Sequence, residues 1–81
     1  MLQAVIGSTM NRTTVIVPET TTLDEAINMA TASGIALEQN ETFTLNGVSL
    51  RRSRGDLGRT FADYGVTGRA TLVSVKDSQN A

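Results

Sequence analysis

The stretch Gly58-Arg59-Thr60-Phe61-Ala62-Asp63-Tyr64-Gly65-Val66-Thr67-Gly68-Arg69-Ala70-Thr71-Leu72-Val73-Ser74-Val75 decides the fold of this chain. It starts as a polar turn carrying two aromatic residues, Phe61 and Tyr64. Thr60 to Tyr64 fits one short turn of helix, with Thr60 placed to cap it. Gly65 and Gly68 break the next segment into a loop, and Ala70 to Val75 then reads as one strand. A single closing strand after a helical turn needs a partner earlier in the chain, and the first strand supplies one.

Upstream, Leu2 to Ile6 reads as that first strand, Gly7 to Asn11 as a turn, and Thr13 to Val17, β-branched throughout, as its return strand. Pro18 ends the strand because it cannot donate a ladder hydrogen bond. Thr22-Leu23-Asp24-Glu25 fits a capping box, with Thr22 accepting from the Glu25 amide and Glu25 reaching back. Leu23, Ala26, Ile27 and Ala30 then line one face of a helix predicted from Leu23 to Ser33, closed by Gly34. Ile35 to Leu37 reads as a buried anchor and Glu38 to Glu41 as a polar loop. Thr42 to Leu45 alternates as a strand, Asn46-Gly47 signals a hairpin, and Val48 to Leu50 returns. Arg51 to Gly58 reads as a polar loop, and Asp77 to Ala81 as a frayed tail. The expected order is ββαββ, a short helical turn, then β: an α+β domain over residues 1–76, one helix on a mixed sheet, with a flexible tail over 77–81.

With 81 residues there is room for one domain, near the lower limit for a self-supporting core. Two Phe, one Tyr and no Trp leave Val, Ile, Leu and Ala to fill it. Neither Cys nor His occurs, which removes disulfides, thiolate nucleophiles, the usual zinc ligands and the commonest general base. The acidic residues show no calcium-loop spacing. No enzyme activity, cofactor or metal is expected. The net charge of −1 disfavours generic nucleic-acid binding. Charge is uneven, however: Glu19, Asp24, Glu25, Glu38 and Glu41 face only Arg12 in the first half, whereas Arg51, Arg52, Arg54, Arg59 and Arg69 outnumber Asp56 and Asp63 later. The opening residues lack a basic region and a long apolar run, and no run approaches the ~18 apolar residues of a span. A cytoplasmic protein with no membrane insertion is expected.

This order and these residues resemble ubiquitin and its relatives, the β-grasp proteins, over Met1 to about Lys76. The best local matches are Gly58-Arg59-Thr60, Asp63-Tyr64 and Thr71-Leu72, with Thr22-Leu23 at the helix start and Phe43-Thr44-Leu45-Asn46-Gly47 at the hairpin. The resemblance implies that Tyr64 hydrogen-bonds nearby backbone and locks its loop. It also implies an interaction face on the outer side of the sheet, formed by Thr44, Val73 and Val75 with Met10 beside them. Thr44 departs from the family pattern, which has an aliphatic residue there. Conjugating relatives need a C-terminal diglycine. No Gly-Gly occurs here, and Gly68 is the last glycine, so a covalent modifier or sulfur carrier is disfavoured. The chain is similar to the non-conjugating ubiquitin-fold proteins associated with bacterial type VII secretion loci.

The expected function is therefore a small non-covalent protein-interaction or adaptor module, an accessory component of a larger assembly, whose partner is a protein. A monomer or weak homodimer fits the exposed edge strands of so small a sheet. The candidate contact residues are Thr44, Val73, Val75 and Met10. Thr22, Glu25, Tyr64 and Leu72 take structural roles. The register of the last strand stays open: either Leu72 and Ser74 or Val73 and Val75 face the core, and one residue of slip exchanges them. The alternative is a regulatory or nucleic-acid-associated domain using the basic loop of Arg51, Arg52, Arg54 and Arg59. Gly55-Asp56-Leu57-Gly58 matches a GxxG loop, but a strand precedes it where a nucleic-acid-binding KH domain has a helix.

Overall fold

A computed structural model describes residues 1–35, 37, 38 and 40–75. The expected strand, helix and turn order is present. The strands are β1 (Leu2–Gly7), β2 (Arg12–Val17), β3 (Thr42–Leu45), β4 (Val48–Arg51) and β5 (Arg69–Val75), and the helix is α1 (Leu23–Ala32). They form a small α+β domain with one mixed five-stranded sheet in the order β2-β1-β5-β3-β4. β1 and β5 run parallel at its centre, and every other pairing is antiparallel. The expected tail over 77–81 and Ala36 of the Ile35–Leu37 anchor lie outside the described residues. Ile35 and Leu37 themselves are half-buried against the core.

Alternation assigns the two faces of the sheet. Leu2, Ala4 and Ile6 of β1, Val17 of β2, Phe43 and Leu45 of β3, and Ala70 and Leu72 of β5 are buried in one cluster with the apolar stripe of α1. That stripe is Leu23, Ala26, Ile27 and Ala30. Burying each of the larger side chains contributes about 1.5–3 kcal/mol. The pairing Ile6–Leu72–Leu45 fixes β5: Leu72 faces the core, and Val73 and Val75 face the opposite side. Ser74 shares the core side although it is polar. Its hydroxyl donates to the Glu38 carbonyl at 2.8 Å and accepts from Asn40 Nδ2 at 3.0 Å, which satisfies a group only 3% exposed.

α1 packs on β1 and β2. The rest of that face is covered by Leu57, Phe61, Val66 and Tyr64. Of residues 51–58, expected as a polar loop, Arg51 ends β4 and the rest form two 3-10 turns, Arg52–Arg54 and Asp56–Gly58, joined at Gly55 with φ 78°. The cause is Leu57, a single apolar residue in a polar segment, which the second turn drives into the core at 2% exposure. Side-chain carboxylates hold the turns: Ser53 N–H donates to Glu41 at 2.8 Å and Arg51 N–H to Asp56 at 2.9 Å. A third 3-10 turn spans Ala62–Tyr64. The β3–β4 hairpin uses Asn46 and Gly47, both in the left-handed region at φ 50° and 87°. Asn46 also extends the sheet, because its amide donates to the Thr71 carbonyl and its Oδ1 accepts from the Thr71 amide at 2.8 Å.

Candidate functional site

With one helix on one face, the other face of the sheet carries no described element. Its rows follow from the register. Arg12, Gly7, Val73, Thr44 and Ser49 form one row across all five strands. Val75, Thr42 and Arg51 form the row beside it. On the other side lie Thr14, Val5 and Thr71, then Ile16, Gln3 and Arg69. The face is mainly threonine and β-branched aliphatic. Its strand residues include Arg12, Arg51 and Arg69, and no Asp or Glu occurs in any of the five strands.

The sequence-derived contact residues fall together here, with different availability. Thr44 and Val75 are half-buried, whereas Val73, in the central strand, is only 8% exposed and offers little contact area. Met10 is 86% exposed in the β1–β2 turn, which closes on the Gly7–Arg12 pair of the same row as Val73 and Thr44. The turn is built by Ser8, whose Oγ accepts from the Met10 and Asn11 amides and whose carbonyl accepts from Arg12 Nε at 3.1 Å. Sequence reasoning missed Ile16, 50% exposed at the outer edge of this face. The even β-branching of β2 hides which of its residues point outward.

Of the basic loop, Arg51 lies on this face at the end of β4, whereas Arg52, Arg54 and Arg59 lie in the turns that follow, and the loop's arginines are engaged within the chain. Arg51 pairs with Glu41 at 3.6 Å, Arg54 with Asp56 at 2.8 Å, and Arg52 with Asp24 at 3.8 Å while its guanidinium sits 5.5 Å from the Phe43 ring centre. Arg59 lies close enough to Asp56 and Asp63 to help hold both carboxyls below their ordinary values. Behind the loop, Tyr64 donates its hydroxyl hydrogen to the Asp56 carbonyl at 2.7 Å. Thr22 and Glu25 form both hydrogen bonds of the capping box at the start of α1.

The chain matches no protein-family model, no curated protein and no solved structure. Among the described residues, no group of three or more carboxylates is placed to hold a metal ion, and no helix is long and apolar enough to cross a membrane.

Proposed function

We infer that this chain is a ubiquitin-like β-grasp domain, and that it acts as a non-covalent protein-interaction module rather than an enzyme. Support for the fold reading is the parallel pairing of β1 with β5, which joins the β1–β2 hairpin to β5 and, through it, to the β3–β4 hairpin, with one helix packed on one face. Support for the non-covalent reading is the absence of any Gly-Gly pair in the 81 residues. The absence of His and Cys favours a binding role over catalysis. The observation that carries the functional reading is the outer sheet face, aliphatic and threonine-rich, with arginine as the sole charged residue type of its strands. Such a surface suits a protein partner that sets acidic residues around an apolar centre, because complementary charge steers and orients the encounter. Nucleic acid fits less well, since no aromatic ring lies on this face to stack a base.

Affinity capture from native lysate tests this with wild type beside Met10→Asp and Val75→Asp, both at positions open enough to accept the change. One partner retained by wild type and lost by both variants is the expected result. Equal recovery by all three overturns the outer face as the site. A higher-mass covalent adduct of the chain overturns the non-covalent reading. The basic loop has no comparable support, because Arg51, Arg52 and Arg54 are held in ion pairs within the chain.

A further inference from the structure

The sheet has two edges, β2 and β4, and the chain treats them differently. In an antiparallel pair, opposite residues alternate between exchanging backbone hydrogen bonds and turning theirs outward. The β3–β4 register runs from Leu45–Val48 to Thr42–Arg51, and beyond it the Arg52 amide donates to the Glu41 carbonyl at 2.8 Å. Ser49 and Arg51 are therefore the residues of β4 that turn their backbone groups outward. The outward Arg51 amide is already taken by Asp56 Oδ2 at 2.9 Å. That carboxylate closes the end of the β4 edge and leaves Ser49 between it and the hairpin turn.

The β2 edge has no such cover. The Ser8 amide donates to the Asn11 carbonyl at 2.8 Å across the β1–β2 turn, and the Gln3 amide donates to the Gly68 carbonyl at 2.9 Å, away from β2. Both bonds fix the phase of the ladder. Ile6–Thr13, Ala4–Val15 and Leu2–Val17 exchange its bonds, and Arg12, Thr14 and Ile16 turn their N–H and C=O groups to the free edge. Among the described residues no backbone group meets them there. An exposed edge is usually protected by Lys, Pro, a bulge or a very short strand. β2 has six residues in unbroken register, with no Lys and no Pro, and Pro18 follows only after its end. Beside this open edge Ile16 stands 50% exposed.

We propose that the β2 edge is a self-association site, which pairs antiparallel with β2 of a second copy of this chain to give a two-fold dimer with one continuous sheet. A two-fold axis perpendicular to the sheet keeps both helices on one side and sets residues of like parity opposite each other. Centred on Thr14, it places Arg12 opposite the partner's Ile16 and Thr14 opposite the partner's Thr14. Every outward N–H and C=O of these three residues is then bonded in both copies. Moving the axis to Val15 sets Pro18, which has no N–H, opposite Arg12. Moving it to Thr13 sets Met10, in the turn, opposite Ile16. The edge is thus self-complementary in one register, and in that register the two Arg12 side chains lie at opposite ends, each beside an exposed Ile16. A second copy is the occupant because pairing satisfies two identical open edges at once, whereas a foreign strand satisfies one. With the β4 edge closed by Asp56, pairing stops at two copies and does not run on into a filament. The contact uses the backbone edge of β2 and sets the outer faces of the two copies side by side.

A single strand pair is a small interface, so the association is weak. Sedimentation equilibrium of the full chain should give 8.6 kDa in dilute solution. The mass should rise toward a plateau at two chains between about 10 µM and 1 mM. Amide hydrogen exchange, read by NMR over the same range, locates the contact. The Arg12, Thr14 and Ile16 amides should slow as concentration rises, while Thr13, Val15 and Val17, bonded to β1, stay slow throughout. Thr14→Pro removes an outward amide and no ladder bond to β1. It should weaken association at least about tenfold, because both central bonds are lost together. Ile16→Lys, at an exposed position, sets a like charge opposite the partner's Arg12 and should weaken association while the slow exchange of Thr13 and Val15 persists. The proposal is overturned if the mass stays that of one chain over the whole range, if it grows past two chains, or if concentration protects Ser49 in place of Thr14 and Ile16. Undiminished association in Ile16→Lys, or in Thr14→Pro that keeps its slow core amides, overturns it as well.

Discussion

Thr22 and Thr60 face one another across a lone antiparallel bridge, and each exchanges reciprocal backbone-to-side-chain hydrogen bonds with a carboxylate residue three positions on. Thr22 N–H donates to Glu25 Oε1 at 3.0 Å, and Thr22 Oγ1 accepts the return bond from the Glu25 amide at 3.1 Å. Thr60 and Asp63 repeat the pattern at 3.0 Å both ways. Three backbone bonds flank the bridge: Leu23 N–H to Arg59 O, Phe61 N–H to Thr21 O and Ala62 N–H to Glu19 O. The start of the helix and the start of the aromatic turn are thus one hydrogen-bonded unit. Thr22→Ala and Thr60→Ala are each expected to cost about 1 kcal/mol, the usual loss of a cap. Because the two residues touch, the double variant should depart from the sum by about 0.5 kcal/mol or more. Urea denaturation of all four proteins measures the coupling, and strict additivity would contradict it.

Tyr64→Phe removes one hydroxyl and little volume. The expected loss is about 1 kcal/mol, the net worth of one hydrogen bond to the Asp56 carbonyl, with the fold unchanged by circular dichroism. A denaturation midpoint equal to wild type would show that the bond does not hold the 56–64 segment.

Gly7→Ala places a methyl group onto the Asn11 carbonyl oxygen and 2.6 Å from Arg12 Cα. Both obstacles are backbone, so neither can rotate away. A loss of about 2–3 kcal/mol is expected, read as a lowered thermal midpoint. Gly58→Ala, with open space around it, is the control and should leave the midpoint near that of wild type.

Acid should destabilise the chain through three carboxylates. Hydrogen bonds from Ser53, side chain first and then amide, hold the Glu41 carboxyl below its ordinary value. The Arg51 amide does the same for Asp56, and the Thr60 amide and hydroxyl for Asp63. Each folded-state pKa is depressed, so this stabilisation is present above the ordinary carboxylate range and is lost as pH falls through the folded values. The Tyr64 hydroxyl has the opposite sign. Burial, then the Asp56 carboxylate, raise it above 10.0. Its contribution is present below that value and is lost as pH rises through the folded one. Urea midpoints should form a plateau around neutrality, falling below about pH 4 and again in strong alkali. Asp56→Asn should flatten the acid limb, and Tyr64→Phe the alkaline one.

Much of the fold was legible because local chemistry announces it. Thr22-Leu23-Asp24-Glu25 marks the helix start, Asn46-Gly47 marks the hairpin, and runs of β-branched residues mark strands. What escaped was decided by contacts distant in sequence. The facing of β5 was undetermined because Leu72, Val73 and Val75 are all apolar, and only pairing with Ile6 and Leu45 separates them. Ser74 faces inward because the Glu38 carbonyl and Asn40 meet it there, which no spacing rule signals. The arginine loop read as a basic patch because two of its partners, Asp24 and Glu41, lie upstream of it and only Asp56 is local. Leu57 could have been flagged as the one apolar residue between Arg51 and Gly58.

The last of the five strands in chain order occupies the middle of the sheet. Until β5 arrives, the β1–β2 and β3–β4 hairpins have no common edge, and neither is stable alone in water. The parallel β1–β5 pairing joins residues at opposite ends of the domain, so the largest loop-closure cost falls in one late event. A chain stopped anywhere before Arg69 holds two hairpins and a helix but no sheet to unite them. Folding should accordingly appear as a single abrupt step once β5 is available to the rest of the chain, not as gradual accretion from the amino terminus.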